Sequence, residues 1–410
     1  MVKTSRDDSP PRPRRKADIS APGSRADVFD AVVVGAGPSG GMAARQLAAA
    51  GFRTALLDKK KVVGEPVQCA EGVSEFGLES NGLRPREEWI AQRVSGAKAV
   101  APNGKWFYIT RLPGYAIDRP AFDRWIVDGA VDDGADLRTS SRVTAISRHD
   151  GGWRIEANGG HVDTRIVIGA DGPASLVARQ AGLVRSLEKI VAYEYRFRRE
   201  DVPILDPDFF LLFVSRAYEG GYAWVFPKGE HVNVGAGGPI DGHAATVAFC
   251  RKFGIDIARR TQTIAGSIPY RYDLSALAMP GLAIVGDAGG ITNPMNGAGI
   301  HPGLFSGRIA GECAVAALEG EDPNAMMAYD RILRSSPFLD PLLSWMIERV
   351  RTWSDRLMNS VTEELQGLDW RAVDARLTLR VVVRKPWLAL HARDFLRMIR
   401  TLELCDRYGW

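Results

Sequence analysis

The sequence predicts an α/β fold joined to an antiparallel sheet and closed by a helical C-terminal region. Three observations carry this. A glycine-rich turn between a buried-strand pattern and a helix stands near residue 35. A second glycine-rich turn follows an apolar strand near residue 287. Between them lies a stretch whose aromatic rings alternate with period two.

The first turn sits in "FDAVVVGAGPSGGMAARQLAAAGFRTALLDKK". Val32, Val33 and Val34 form the short apolar run of a buried parallel strand. Gly35, Gly37 and Gly40 give G-x-G-x-x-G, and Ala43 to Ala50 reads as helix. A first glycine permits the tight turn, a second lets a pyrophosphate approach the backbone, and a third lets helix and strand pack closely. A second strand, 54–57, ends at Asp58, an acid placed to accept hydrogen bonds from a ribose.

The later turn repeats this logic in "GLAIVGDAGGITNPMNGAGIHPGLFSGRIAGECA". Asp287 precedes a helix of small residues, where it can bond a polyol such as ribitol or cap the helix. Two such segments far apart in sequence suggest one long cofactor held from both sides, and FAD fits that description. Arg119, opening the helix pattern of "DRPAFDRWIVDGAV", suits a cofactor phosphate or open solvent equally. "RIVIGADGPAS" is one more strand ending in a turn, at Ala170-Asp171-Gly172.

The alternating stretch is "GGYAWVFPKGEHVNVGAGG" at 220–238. On a strand, Tyr222, Trp224 and Phe226 share one face. That face is either an ordinary cross-strand core or the wall of a pocket. Pro227 is expected to end the strand, since it cannot donate to a ladder. Gly235 and Gly237 are expected to allow close approach of a ligand or flavin.

Composition limits the function. The 410 residues suit about two or three domains. A hydrophobic share of 45% and a charged share of 25% are those of an ordinary globular protein. The net charge of +4, with no basic aromatic patch, argues against nucleic acid as a partner. Cys69, Cys250, Cys313 and Cys405 are too dispersed for a metal site, so no metal and a reducing, cytoplasmic setting are expected. Residues 1–27 are rich in Pro, Arg and Ser and read as a disordered tail without an export signal. Residues 336–410 read as amphipathic helices with interspersed arginines. They either pack against the flavin domain and close the pocket beside it, or lie on a membrane surface.

Together these segments resemble the flavoprotein hydroxylase superfamily. Within it the chain is most similar to the geranylgeranyl reductase family, particularly archaeal digeranylgeranylglycerophospholipid reductases. Three stretches bear the likeness: "VGEPVQCAEGVS" at 63–74, the Tyr222-x-Trp224-x-Phe226-Pro227 pattern followed by Gly235-x-Gly237, and "NGAGIHPGLFSGRIAGE" after Gly286-Asp287. The likeness covers most of residues 29–335. One departure is "NPMNGAGI", where archaeal members more often read "LTGGGI"; it bears on the substrate rather than on the flavin.

The resemblance implies a Rossmann-like FAD-binding domain over 28–183 and 281–335, an antiparallel-sheet substrate domain over 184–280, and the helical region 336–410. It implies FAD contacts from Ser39, Asp58, Cys69, Ala70, Gly72, Arg119, Asp287, Gly299 and Ile300, with Val143 beside the adenine. It implies an apolar tunnel walled by Tyr222, Trp224 and Phe226, in which reduced flavin saturates a prenyl C=C bond. Cys69, Tyr222 or a water is then the proton source, and Cys69 reads equally well as a small packing residue. The expected partners are a prenyl lipid and an electron donor: ferredoxin, NADPH or another reduced carrier. The expected location is the cytoplasm, with peripheral contact at the membrane's cytoplasmic face. A menaquinone side chain or a geranylgeranylated chlorin would suit the same tunnel. An aromatic monooxygenase or halogenase of the same fold is the competing class; a halogenase would show Trp-x-Trp-x-Ile-Pro, where this strand reads "YAWVFP".

Overall fold

The computed structural model describes residues 27–407, so the expected N-terminal tail lies outside the described residues but for Asp27. Strand Asp27–Val34 is central to an eight-stranded sheet. It pairs in parallel with Thr54–Leu57 on one side and with Gly160–Gly169 on the other. Asp136–Arg138 and Leu282–Ile284 extend the parallel order outwards. Residues 31–34 are buried, as a strand covered on both faces requires. Helix Pro38–Ala49 packs between helices Ile300–Glu319 and Arg119–Asp132. The late segment thus returns to the first one, and both glycine-rich turns share one edge of one sheet.

A seven-stranded sheet forms the second layer. Its central run is Gln262–Leu274, Val184–Arg198, His231–Gly237, Tyr222–Lys228 and Phe210–Phe213, all antiparallel. It also takes in Ala97–Val100, parallel to Phe210–Phe213, and then Trp106–Thr110. Those two strands were expected in the flavin region. They cross over because their pairing partner lies far away in sequence, which local alternation does not report.

Strand Tyr222–Lys228 runs through Pro227 rather than ending before it. The ladder to Phe210–Phe213 stops at Val225, so beyond that point the strand has a neighbour on one side only. There a missing N–H is tolerated.

The C-terminal region folds as helices Pro341–Val350, Asp355–Glu364, Ala375–Arg384 and Ala392–Arg407. Met346, Trp353, Leu357, Met358 and Leu388 form their common core.

Candidate functional site

A cavity of about 890 Å³ runs from the carboxyl ends of the parallel strands, along the aromatic face of the second sheet, to the C-terminal helices. In an α/β sheet that strand end is where nucleotides bind. The nucleotide end follows from the first turn. Gly35 has φ +108°, and a Cβ there would lie 2.2 Å from the Ala170 carbonyl oxygen, so only glycine fits. Gly37 caps helix Pro38–Ala49 with no side chain over the first amides, and a Cβ there would meet nothing within 4 Å. The helix start is therefore open to an anion.

Asp58 accepts hydrogen bonds from the backbone N–H groups of Ala36 and Lys60, both at 2.7 Å. Each carboxylate oxygen keeps a further lone pair for a ribose. Ser39, Val143, Asp287, Gly299 and Ile300 line the same space. Burial pushes the Asp287 carboxyl up to about 6, against the opposing pull of Arg119. The open turn, the acids Asp58 and Asp287 and the space between them suit a dinucleotide as long as FAD.

The loop after the second strand lays Cys69, Ala70 and Gly72 on the cavity wall. The Glu71 N–H donates to Cys69 Sγ at 3.2 Å, and burial raises the thiol pKa from 9.0, so the thiol keeps its proton at neutral pH. Arg119 faces the cavity, yet its Nε and Nη2 are held by Asp123 at 2.9 and 3.1 Å. It is not the solvated arginine of the alternative reading. The Tyr222 hydroxyl donates to the Asn296 carbonyl, and burial raises its pKa. That proton is already engaged.

Tyr222, Trp224 and Phe226 all line the cavity, so the alternating face is a wall. Phe226 stacks on Phe210 with centroids 4.2 Å apart. The Trp224 indole lies across strand His231–Gly237, where a Cβ on Gly235 would fall 2.4 Å from Cζ2 of the ring. Its Nε1 reaches beyond that strand and donates to Glu194 Oε2 at 2.6 Å.

Four expected contacts are not on the cavity wall: Gly40, Pro227, Gly235 and Gly237. Gly40 packs the helix on its own turn, since a Cβ there would lie 1.8 Å from the Gly35 carbonyl oxygen. Gly235 yields its space to the Trp224 ring rather than to a ligand, and a Cβ on Gly237 would meet Ala192 at 3.2 Å.

Sequence reasoning missed two acids. Glu71 is fully buried, and its Oε2 accepts from Lys228 Nζ at 2.6 Å, Asn233 Nδ2 at 3.1 Å and Arg196. Its Oε1 accepts from the Arg119 N–H at 3.3 Å. Glu194, 2% exposed, lines the cavity between Ala192 and the indole. The available signal was an acid flanked by aromatic residues inside a strand pattern. The C-terminal helices supply the distal wall through Met346, Trp353, Met358, Met398 and Leu402, so they close the cavity as the packing reading expected, though these residues were not named from sequence.

Comparison with known proteins agrees with this geometry. The FAD binding domain family matches residues 30–201. Digeranylgeranylglycerophospholipid reductase 2 of Methanopyrus kandleri is 33% identical over 397 residues, covering 90% of this chain and 100% of the relative. Digeranylgeranylglycerophospholipid reductase 1 of the same organism is 37% identical over 319 residues, covering 72% of this chain and 83% of the relative. A crystal structure of a geranylgeranyl bacteriochlorophyll reductase-like protein from Thermoplasma acidophilum superposes with a TM-score of 0.78 at 27% identity, covering 90% of this chain and 100% of that one. An identity of this size along the whole of a relative, on a fold built to hold FAD, settles the lineage: the chain belongs to the digeranylgeranylglycerophospholipid reductase family of FAD-dependent oxidoreductases.

Proposed function

We propose that this protein saturates C=C bonds of a geranylgeranyl lipid, with a digeranylgeranyl glycerophospholipid as its substrate. The observation that carries this is the continuity of one cavity from the dinucleotide turn to an apolar, ring-lined end. A long hydrocarbon needs such a site, with few polar groups along its length.

Gly35, Gly37, Ser39, Asp58, Val143, Asp287, Gly299 and Ile300 would hold FAD, with the Cys69–Gly72 loop and Arg119 beside it. Bound reduced FAD supplies a hydride equivalent to the alkene. The chain's own residues orient the alkene, exclude water and deliver a proton. Tyr222, Trp224 and Phe226 form one wall for the prenyl chain, and Met346, Trp353 and Met398 close the far end.

The electron donor is a reduced carrier that binds transiently, a ferredoxin or NADPH. Anaerobic bleaching of the flavin by one and not the other identifies it. Bleaching by neither would remove both.

Among the described residues no helix is long and apolar enough to cross a membrane. The C-terminal helices nonetheless expose Leu379, Val383, Leu390 and Leu396 among Arg376, Arg380 and Arg393. This face suits peripheral contact with an anionic bilayer, from which the lipid would enter. Sedimentation with anionic vesicles should be lost in Leu390→Glu/Leu396→Glu; unchanged sedimentation rejects the contact.

The test of function is anaerobic incubation of chemically reduced, FAD-loaded protein with a digeranylgeranyl glycerophospholipid, menaquinone and a geranylgeranylated chlorin, read by mass spectrometry. Stepwise gain of hydrogen pairs on the glycerophospholipid supports the proposal. Gain confined to another component keeps the reductase and changes its substrate. No gain, with oxygen consumed alongside a small aromatic compound, points to a monooxygenase.

A further inference from the structure

We infer that Glu194 is the acid that protonates the alkene. This rests on the reductase reading above and goes beyond it by naming the proton source.

Two buried acids lie near one another. Glu71 and Glu194 share one neighbourhood, which holds two cations, Arg196 and Lys228. Both cations bond to Glu71. Glu194 receives only the indole N–H of Trp224, on Oε2. Its Oε1 is buried and has no hydrogen-bond partner among the described residues. An ionised carboxylate in that position would lack compensation for its lost hydration, so the neutral acid is favoured. Burial pushes its pKa up to about 8; the indole bond, Arg196 and Lys228 pull the other way, and the Glu71 charge adds to the rise.

The neutral acid has one proton and two oxygens. Oε2 already accepts the indole hydrogen, so the proton resides on Oε1. Glu194 lines the cavity together with Ala192, Trp224 and Ile264, the last paired with it across the neighbouring strand. Two acids whose surroundings differ in this way divide the work: one anchors cations, the other keeps a proton for delivery. Neither residue proposed from sequence offers the same. Tyr222 has its proton engaged by Asn296, and the Cys69 thiol stays a weak acid.

The alkene π bond breaks. One carbon gains hydride from reduced FAD, and the other gains the Glu194 proton through a new C–H bond. FAD is left oxidised, Glu194 is left as carboxylate, and a solvent proton restores it between turnovers. Trp224 is a positioning residue in this scheme, since its N–H fixes which oxygen bears the proton.

The test compares wild type with Glu194→Gln, which keeps the size and an acceptor for the indole but has no acid proton. Both are loaded with FAD, reduced without oxygen and mixed with a digeranylgeranyl glycerophospholipid. Equal FAD and lipid binding is expected, with single-turnover reduction slowed by roughly 10²-fold or more in the variant. A wild-type rate that falls as pH rises past about 8 is also expected. Independently of turnover and of the variant's folding, infrared titration of the wild-type protein should show an undissociated carboxyl band persisting above neutral pH. Turnover by Glu194→Gln within about threefold of wild type overturns the assignment, and so does absence of that band at pH 7. If wild type itself reduces no prenyl double bond, the reductase reading fails first and the assignment falls with it.

Discussion

The indole of Trp224 lies against Gly235 of the neighbouring strand, so close that a Cβ on Gly235 would stand 2.4 Å from the ring and 2.6 Å from the Tyr193 carbonyl oxygen. The glycine is what lets the ring reach Glu194 on the strand beyond. Gly235→Ala should therefore displace the indole and destabilise the protein by about 1–3 kcal/mol, as overpacking does. Calorimetry should show a lower Tm, and lipid binding should weaken more than FAD binding. An unchanged Tm would mean the ring is not held as described.

Gly37 makes the opposite case. A Cβ there meets no atom within 4 Å, which leaves room for a small side chain, so Gly37→Val should fold normally. It would project where a pyrophosphate approaches the helix start. Loss of FAD from a purified variant of wild-type stability is the expected outcome. Full FAD occupancy would move the pyrophosphate elsewhere.

Cys69→Ser separates the two proton-source assignments. Serine can still accept the Glu71 N–H, so the loop should hold and FAD should remain bound. With Glu194 as the donor, the single-turnover rate should fall by less than about tenfold, below the usual worth of a lost general acid. A loss matching that of Glu194→Gln would return the role to the thiol.

Stability should report Glu194 as well. Its carboxyl titrates at 4.5 when unperturbed and at about 8 in the folded chain. Between those values the folded state holds a proton that the unfolded state has released. The contribution is fully present below the lower value, is lost as pH rises, and is gone above about 8. Urea denaturation at pH 5, 7 and 9 should show wild-type stability falling relative to Glu194→Gln, with no further relative loss above that range. A pH-independent difference would contradict a protonated Glu194.

The parts of this site that are local in sequence were legible there. The glycine turn at 35–40, the acid at 58 and the turn at 286–287 each announce themselves within a few residues, because one strand, one turn and one helix start suffice. Glu194 was not legible. In Ala192-Tyr193-Glu194-Tyr195-Arg196-Phe197, the aromatic face reads as core and the other as solvent-facing. Tyr195 and Phe197 are indeed core, but the opposite face meets the cavity rather than water. Glu71 was hidden for a related reason, since its partners Arg196, Lys228 and Asn233 come from three separate strands. Pro227 was misread because a proline's cost depends on whether a neighbouring ladder still runs beside it. The amphipathic pattern at the C-terminus foretold helices that close the cavity, but not which of their residues face it.

The most direct measurement is anaerobic titration of chemically reduced, FAD-loaded protein with a digeranylgeranyl glycerophospholipid, following flavin absorbance and lipid mass together. The expected result is reoxidation of one flavin for each pair of hydrogens gained by the lipid. A flavin that stays reduced with the lipid present, and reoxidises only when oxygen is admitted, would contradict prenyl reduction in this cavity.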